Sequence, residues 1–302
     1  MWSEKLMRYS IDKLKIEFLY VKYQKVNEIL KSLELDPFVI NYYESNKLTS
    51  CKHNFVFETS EGITFYLGVV PNWRKEERYD KNIVLEYNPN KVNPFGHSVL
   101  KFLLNYPKVL WNVSSFDIAC DLDVPYNTLV MTKRDKREYF ADIGHSEVET
   151  RYLGRFGHNG HIKLYNKAIE QKVDKPWSRF EITIKKIKSI SPTLSSFSEF
   201  CKLPNMYRRD VQLSSDYLKL SSIWRLALDS VIDDINKLYT IDDYKTRRKM
   251  EKMLSEVLES VDISVQAMYD TYIDYFNSLF DFNIENTDFV EFEAVLRVCP
   301  SK

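Results

Sequence analysis

The sequence predicts an α+β fold, a mainly antiparallel sheet backed by helices, followed by an α-helical C-terminal domain. Three observations point there. Short β-branched and aromatic stretches with alternating polarity recur through residues 13–186. Short turn signals separate several of them, which favours antiparallel over parallel pairing. From about residue 206 the apolar spacing changes to a helical period.

Lys13–Tyr20 is β-rich, and Tyr23–Leu33 follows with Val26, Ile29, Leu30 and Leu33 near helical spacing. Asn54–Glu58 and Ile63–Val69 are strands joined by Thr59-Ser60-Glu61-Gly62, a link that suits a hairpin. Asn82–Tyr87 is a strand closed by the turn signal Asn88-Pro89-Asn90. Gly96–Tyr106 reads as a short helix, and Ser115–Val124 as the most regular alternation in the chain. Glu147–Leu153, His161–Asn166 and Arg179–Lys186 are further strands, and Thr193–Leu203 is helical. Beyond these, Ile223, Ala227, Val231, Ile235 and Leu238 mark an amphipathic stripe. A second runs through Met250, Met253, Leu254, Val257, Leu258 and Val261, and a third through Met268, Tyr269, Tyr272, Ile273 and Phe276. A boundary near Pro204–Arg209 gives an α+β domain over 1–205 and a helical domain over 206–302.

Of the 302 residues, 44% are hydrophobic, enough for a real core, and 28% are charged. No apolar run approaches the roughly 18 residues of a spanning helix, so no membrane partner is expected. The N-terminus lacks the basic and apolar pattern of a secretory signal, and the expected location is cytoplasmic. Cys51, Cys120, Cys201 and Cys299 lie far apart without C-x-x-C, which suits reduced thiols better than zinc or disulfides. No G-x-G-x-x-G or Walker-type loop occurs.

Net charge is zero, yet it is segregated. Residues 151–188 hold ten Lys/Arg against three acids, while residues 253–302 hold two bases against ten acids. A local excess of that size attracts a polyanion within a Debye length.

The chemistry concentrates in three strands. In Phe116–Asp123, period-two alternation sends Phe116, Ile118, Cys120 and Leu122 inward and puts Asp117, Asp121 and Asp123 on the other face with Ala119. Like charges so close need a cation or a basic partner, and small Ala119 leaves room for an ion. Arg179–Ile184 repeats the design, with Arg179 and Glu181 outward, so Glu181 can join Asp117 and Asp121 as hard-oxygen ligands for Mg²⁺ or Mn²⁺. In His161–Glu170, Lys163, Tyr165 and Lys167 share a face. Two ammonium groups beside a phenol favour its phenolate, and the same lysines attract a phosphodiester. His158 and His161 have two residues between them at a turn, and convergence on a metal is not expected.

Those segments carry a resemblance. The order FDIACDLD, TRYLGRFGHNGHIKLYNKAIEQ and WSRFEI resembles the rolling-circle replication initiators of Gram-positive plasmids (the Rep_trans family) and related relaxases of conjugative elements. The matching residues are Asp117, Ala119 and Asp121; Thr150, Tyr152 and Gly154; Tyr165, Asn166, Lys167 and Glu170; and Trp177, Arg179 and Glu181. The resemblance covers roughly residues 11–205 and implies a Rep nuclease-like fold that nicks origin DNA, single-stranded or extruded as a hairpin. By position Tyr165 is the nucleophile that forms a 5′-phosphotyrosine. Asp117, Asp121 and Glu181 are the implied ligands of a divalent metal, Mg²⁺ or Mn²⁺, with Glu149 or Glu170 as substitutes for Asp121. Lys167 and Arg179 stabilise phosphate charge, and Arg151, Arg155 and Lys163 contact DNA. The acidic C-terminal end is read as a surface for protein: a dimer mate, a helicase or another replisome component. Two other readings fit the same residues: a conjugative relaxase of identical chemistry, and a non-catalytic DNA-binding regulator. The basic stretch Asp242–Met250 is read as a solvated helix face with DNA contact as its rival.

Overall fold

The computed structural model describes residues 7–22, 31, 39–44, 48, 51–60, 62, 64–71, 80–92, 110–142, 150–185, 187, 191–210 and 213–280. They form strands β1 (Met7–Lys22), β2 (Val39–Glu44), β3 (Cys51–Thr59), β4 (Thr64–Pro71), β5 (Asp80–Tyr87), β6 (Leu110–Leu122), β7 (Leu129–Thr132), β8 (Tyr139–Asp142), β9 (Thr150–Leu153), β10 (His161–Asn166), β11 (Ser178–Lys185), β12 (Asn205–Arg208) and β13 (Glu259–Ser260). The helices are α1 (Lys167–Gln171), α2 (Leu194–Phe200), α3 (Ser215–Lys219), α4 (Ser222–Asp233), α5 (Asn236–Tyr239), α6 (Tyr244–Val257) and α7 (Val265–Phe280). The expected helix at Gly96–Tyr106 lies outside the described residues, as does Tyr23–Leu33 apart from Lys31.

The chain divides into two compact units, each discontinuous in sequence. The second unit takes Ile11–Phe116, Lys185–Phe197 and Gln266–Lys302. Its strands run in the order β2-β3-β4-β5-β1, with antiparallel pairing along the β2–β3, β3–β4, β4–β5 and β5–β1 edges. Phe57 and Phe65 stack at 5.0 Å between ring centroids, and Leu14, Ile16, Leu67 and Leu85 are fully buried. Helix α7 belongs to this unit. Its Tyr272 ring packs 4.7 Å from Phe116 and 5.8 Å from Phe197, and the Tyr275 and Tyr87 hydroxyls meet at 2.7 Å.

The first unit takes Met1–Ser10, Asp117–Ile184 and Ser198–Val265. Its main sheet runs β6-β11-β10-β9-β8, and a smaller sheet runs β13-β12-β7. Ile118, Cys120, Leu122, Ile162, Leu164, Phe180, Ile182 and Ile184 are all fully buried, the inward half of the alternation that the sequence predicts. Each of the Ile, Leu and Phe side chains contributes about 1.5–3 kcal/mol of apolar burial. A second cluster in the same unit joins Leu228 and Val231 of α4 to Met250, Met253, Leu254 and Val257 of α6.

The expected domain boundary falls at Pro204–Arg209. That stretch contains β12, which pairs with β7 and β13, and α3–α6 pack in the first unit while α7 packs in the second. An amphipathic helix needs a surface to cover, and here strands from early in the chain supply it. The α4 stripe also begins one residue later than expected. Trp224, Ala227, Leu228 and Val231 face the cluster, leaving Ile223 77% and Leu226 74% exposed. Cys51, Cys120 and Cys201 are buried thiols outside any disulfide, and burial pushes those of Cys120 and Cys201 up to about 12. Among the described residues no helix is long and apolar enough to cross a membrane.

Candidate functional site

Strand register assembles the site within the first unit. Across the antiparallel β10–β11 pair, Lys163 lies opposite Glu181 and Tyr165 opposite Arg179. On the other side of β10, β9 places Tyr152 opposite Lys163 and Thr150 opposite Tyr165. Directly opposed residues share a face, so these side chains form two cross-strand rows, Thr150–Tyr165–Arg179 and Tyr152–Lys163–Glu181. The intervening Leu164, Phe180 and Ile182 anchor the other face in the core, and a one-residue slip would exchange the two sets.

The Tyr165 hydroxyl donates to Glu181 Oε1 at 2.6 Å, and Lys163 Nζ donates to Glu181 Oε2 at 3.0 Å. Arg179 grips Asp121 of β6 with both prongs, Nε to Oδ1 at 2.7 Å and Nη2 to Oδ2 at 2.9 Å. Asn166 ends β10 and caps α1, its side chain accepting from Ile169 N at 3.2 Å. Lys167 therefore opens a helix instead of continuing the strand. Its ammonium stands 5.6 Å from the centre of the Tyr165 ring and pairs with Glu170.

Electrostatics at Tyr165 run opposite to the sequence-based expectation. The side chain is only 7% exposed. Burial, then the Glu181 charge and its hydrogen bond, push the phenol far above its usual range, with Arg179 opposing weakly. The two lysines expected to favour phenolate are instead paired with Glu181 and Glu170.

The expected metal ligands do not converge. Among the described residues no three His, Cys, Asp or Glu side chains form a cluster that could hold a metal ion. Asp121 is taken by Arg179, and Glu181 by Lys163 and Tyr165. Ala119, expected to leave room for an ion, is fully buried. Asp117 makes no hydrogen bond or ion pair with the described residues, although its charge reaches His161. Glu149 lies outside the described residues. In this arrangement a divalent ion would have to displace Arg179 from Asp121, or Lys163 and Tyr165 from Glu181, before it could use those oxygens.

The expected DNA contacts separate. Arg151 lies opposite Leu164, so it sits on the reverse face from Tyr165. There it donates to the Leu129 carbonyl and covers the Tyr126 ring at 4.6 Å. Lys163 is held by Glu181. Arg155, in the exposed turn after β9, pairs with Glu138 at 3.3 Å.

His161 is the residue that sequence reasoning passed over by grouping it with His158. His158 is exposed, whereas His161 is 3% exposed, beside the Tyr152 and Phe156 rings. Its Nδ1 meets the Gly154 carbonyl at 2.9 Å, and its Nε2 is buried with no hydrogen-bond partner among the described residues. Burial pulls its pKa down. Period-two spacing from Lys163 and Tyr165 was the available signal, since it puts His161 on their face.

No family model matches the chain, and no curated protein matches it. Among solved structures, the rolling circle replication initiator protein from Geobacillus stearothermophilus is similar at 16% identity, covering 74% of this chain and 96% of that one, with a TM-score of 0.39. A TM-score of that size does not establish a shared fold.

Proposed function

We propose that the chain is a replication initiator of a plasmid or mobile element that nicks DNA through Tyr165. The carrying observation is the 2.6 Å hydrogen bond from the Tyr165 hydroxyl to Glu181 Oε1. In this reading Glu181 is the general base. As Tyr165 Oη bonds to phosphorus, its proton passes to Glu181 Oε1 and the P–O3′ bond breaks. The departing 3′ oxygen takes a proton from water, leaving a 3′-OH and a 5′-phosphotyrosine. A phenol of raised pKa loses its proton most readily to a base already in contact with it. Arg179 and Lys167, beside the ring, supply positive charge toward the phosphate. No step is routed through a metal ion, because Asp121 and Glu181 are already engaged by Arg179, Lys163 and Tyr165.

The test is incubation with supercoiled plasmid carrying the origin, followed by denaturing electrophoresis. Covalent protein–DNA adduct is expected from the native chain and absent from Tyr165→Phe. A second reading, a DNA-binding regulator without catalysis, is favoured by the burial of Tyr165. It predicts DNA affinity without adduct in either protein.

A further inference from the structure

Helix α6 presents two faces of opposite character. Met250, Met253, Leu254 and Val257 are buried in the first unit's helical cluster. Lys245, Arg248, Lys249 and Lys252 recur at helical spacing on the other side, and all four are exposed. At about 1.5 Å per residue, Lys245 and Lys252 stand about 10 Å apart along the axis. These cations line one side of an open groove of about 830 Å³, with Asn205 and Tyr207 of β12 among its other lining residues. Among the described lining residues the single carboxylate is Glu251, and Tyr244 lies at the groove's end, 61% exposed. Lys245 and Arg248 make no ion pair with the described residues. Lys249 rests over the Trp224 ring at 4.2 Å and Lys252 is 3.4 Å from Glu256. The start of the helix is already capped, with Asp243 Oδ2 accepting from Thr246 N at 2.7 Å, so the groove's attraction comes from its side chains.

We infer that this groove binds single-stranded nucleic acid, the α6 cations taking its phosphates and Tyr244 stacking on a base. Four cations against Glu251 in the groove and Glu256 beside Lys252 leave a local positive excess that suits a polyanion. An exposed aromatic ring beside it distinguishes single strands, whose bases are free to stack, from a duplex or a lipid surface. The inference rests on the proposed DNA-processing role only for the class of ligand. The site shares no residue with the Tyr165 network.

The test is fluorescence anisotropy of the full chain with a labelled oligothymidylate across a salt series, with circular dichroism to confirm folding. Single strands lose about 0.7 in the log–log salt slope per phosphate contact, so Lys245→Gln/Arg248→Gln should lower the slope by about 1.4 and weaken low-salt binding roughly tenfold. Tyr244→Ala should weaken oligothymidylate binding about tenfold while sparing a duplex of equal length. Unchanged affinity and slope in the charge variant overturns the site. So does binding to anionic phosphatidylserine vesicles without binding to the oligonucleotide. These readouts measure binding alone, so absence of covalent adduct would sink the nicking reading and leave the groove standing. Loss of the groove would leave the nicking reading intact.

Discussion

The Tyr165 hydroxyl and Glu181 Oε1 lie 2.6 Å apart although the two residues are diagonal, not opposite, in the β10–β11 register. The residues directly opposed are Tyr165 with Arg179 and Lys163 with Glu181. The carboxylate thus takes the phenol from one row and the ammonium from the next. Glu181 is the hub of this face, and its second oxygen is already neutralised by Lys163.

That arrangement makes Glu181→Gln the informative partner to Tyr165→Phe. The amide keeps the shape and accepts the phenol hydrogen bond, but it cannot take the proton. Tyr165→Phe should abolish covalent adduct, and Glu181→Gln should slow its formation by about 10²–10⁴-fold, the usual range for general-base catalysis. Both should keep DNA affinity in filter binding. Adduct formation at the native rate by the glutamine variant would remove Glu181 from the chemistry.

The Arg179–Asp121 pair makes a prediction about stability. Both side chains are nearly buried, and the contact is bidentate. Removing one member strands a buried charge, so Asp121→Leu or Arg179→Met alone should cost about 3–5 kcal/mol in urea denaturation. The double variant removes both charges and should recover much of that loss. Additive losses would mean that each group has other partners of equal weight.

The sequence made the strand face legible because alternation in Phe116–Asp123, His161–Asn166 and Arg179–Lys186 depends only on period. That Tyr165 and Glu181 share a side followed from it. Pairing among charged residues did not follow, since a count of lysines near Tyr165 says nothing about which carboxylate each one meets. Arg151 shows the same limit. It lies in the basic stretch, yet its parity in β9 turns it toward Tyr126 and Leu129. Packing partners are hidden from the period in the same way. The helical period of α7 was visible, but the surface that its Tyr272 covers comes from β6 and α2, far earlier in the chain.

Arg151 should accordingly matter to the fold and not to the ligand. Arg151→Met keeps length and apolar contact but leaves the Leu129 carbonyl without its donor, a cost of about 1–3 kcal/mol for a buried acceptor. Thermal denaturation should register that loss, and DNA affinity should not change. A selective fall in DNA affinity with unchanged stability would return Arg151 to the binding surface.

His161 supplies a pH prediction whose sign follows from its surroundings. Burial lowers its pKa; the Gly154 carbonyl, Asp117 and Glu181 oppose that shift, while Lys163 reinforces it. In the unfolded chain the imidazole titrates near about 6.5. Below that pH the unfolded state binds a proton that the folded state resists, so folding stability contributed by His161 is present above about pH 6.5 and lost as pH falls. His161→Phe has nothing to protonate and suits the flanking Tyr152 and Phe156 rings. Its stability should therefore decline less than that of the native chain between about pH 7.5 and 5.5, measured by urea denaturation at each pH. Parallel declines would mean that the folded imidazole accepts the proton freely. That would require its buried Nε2 to reach an acceptor, and Asp117, whose charge it already feels, is the group to mutate next.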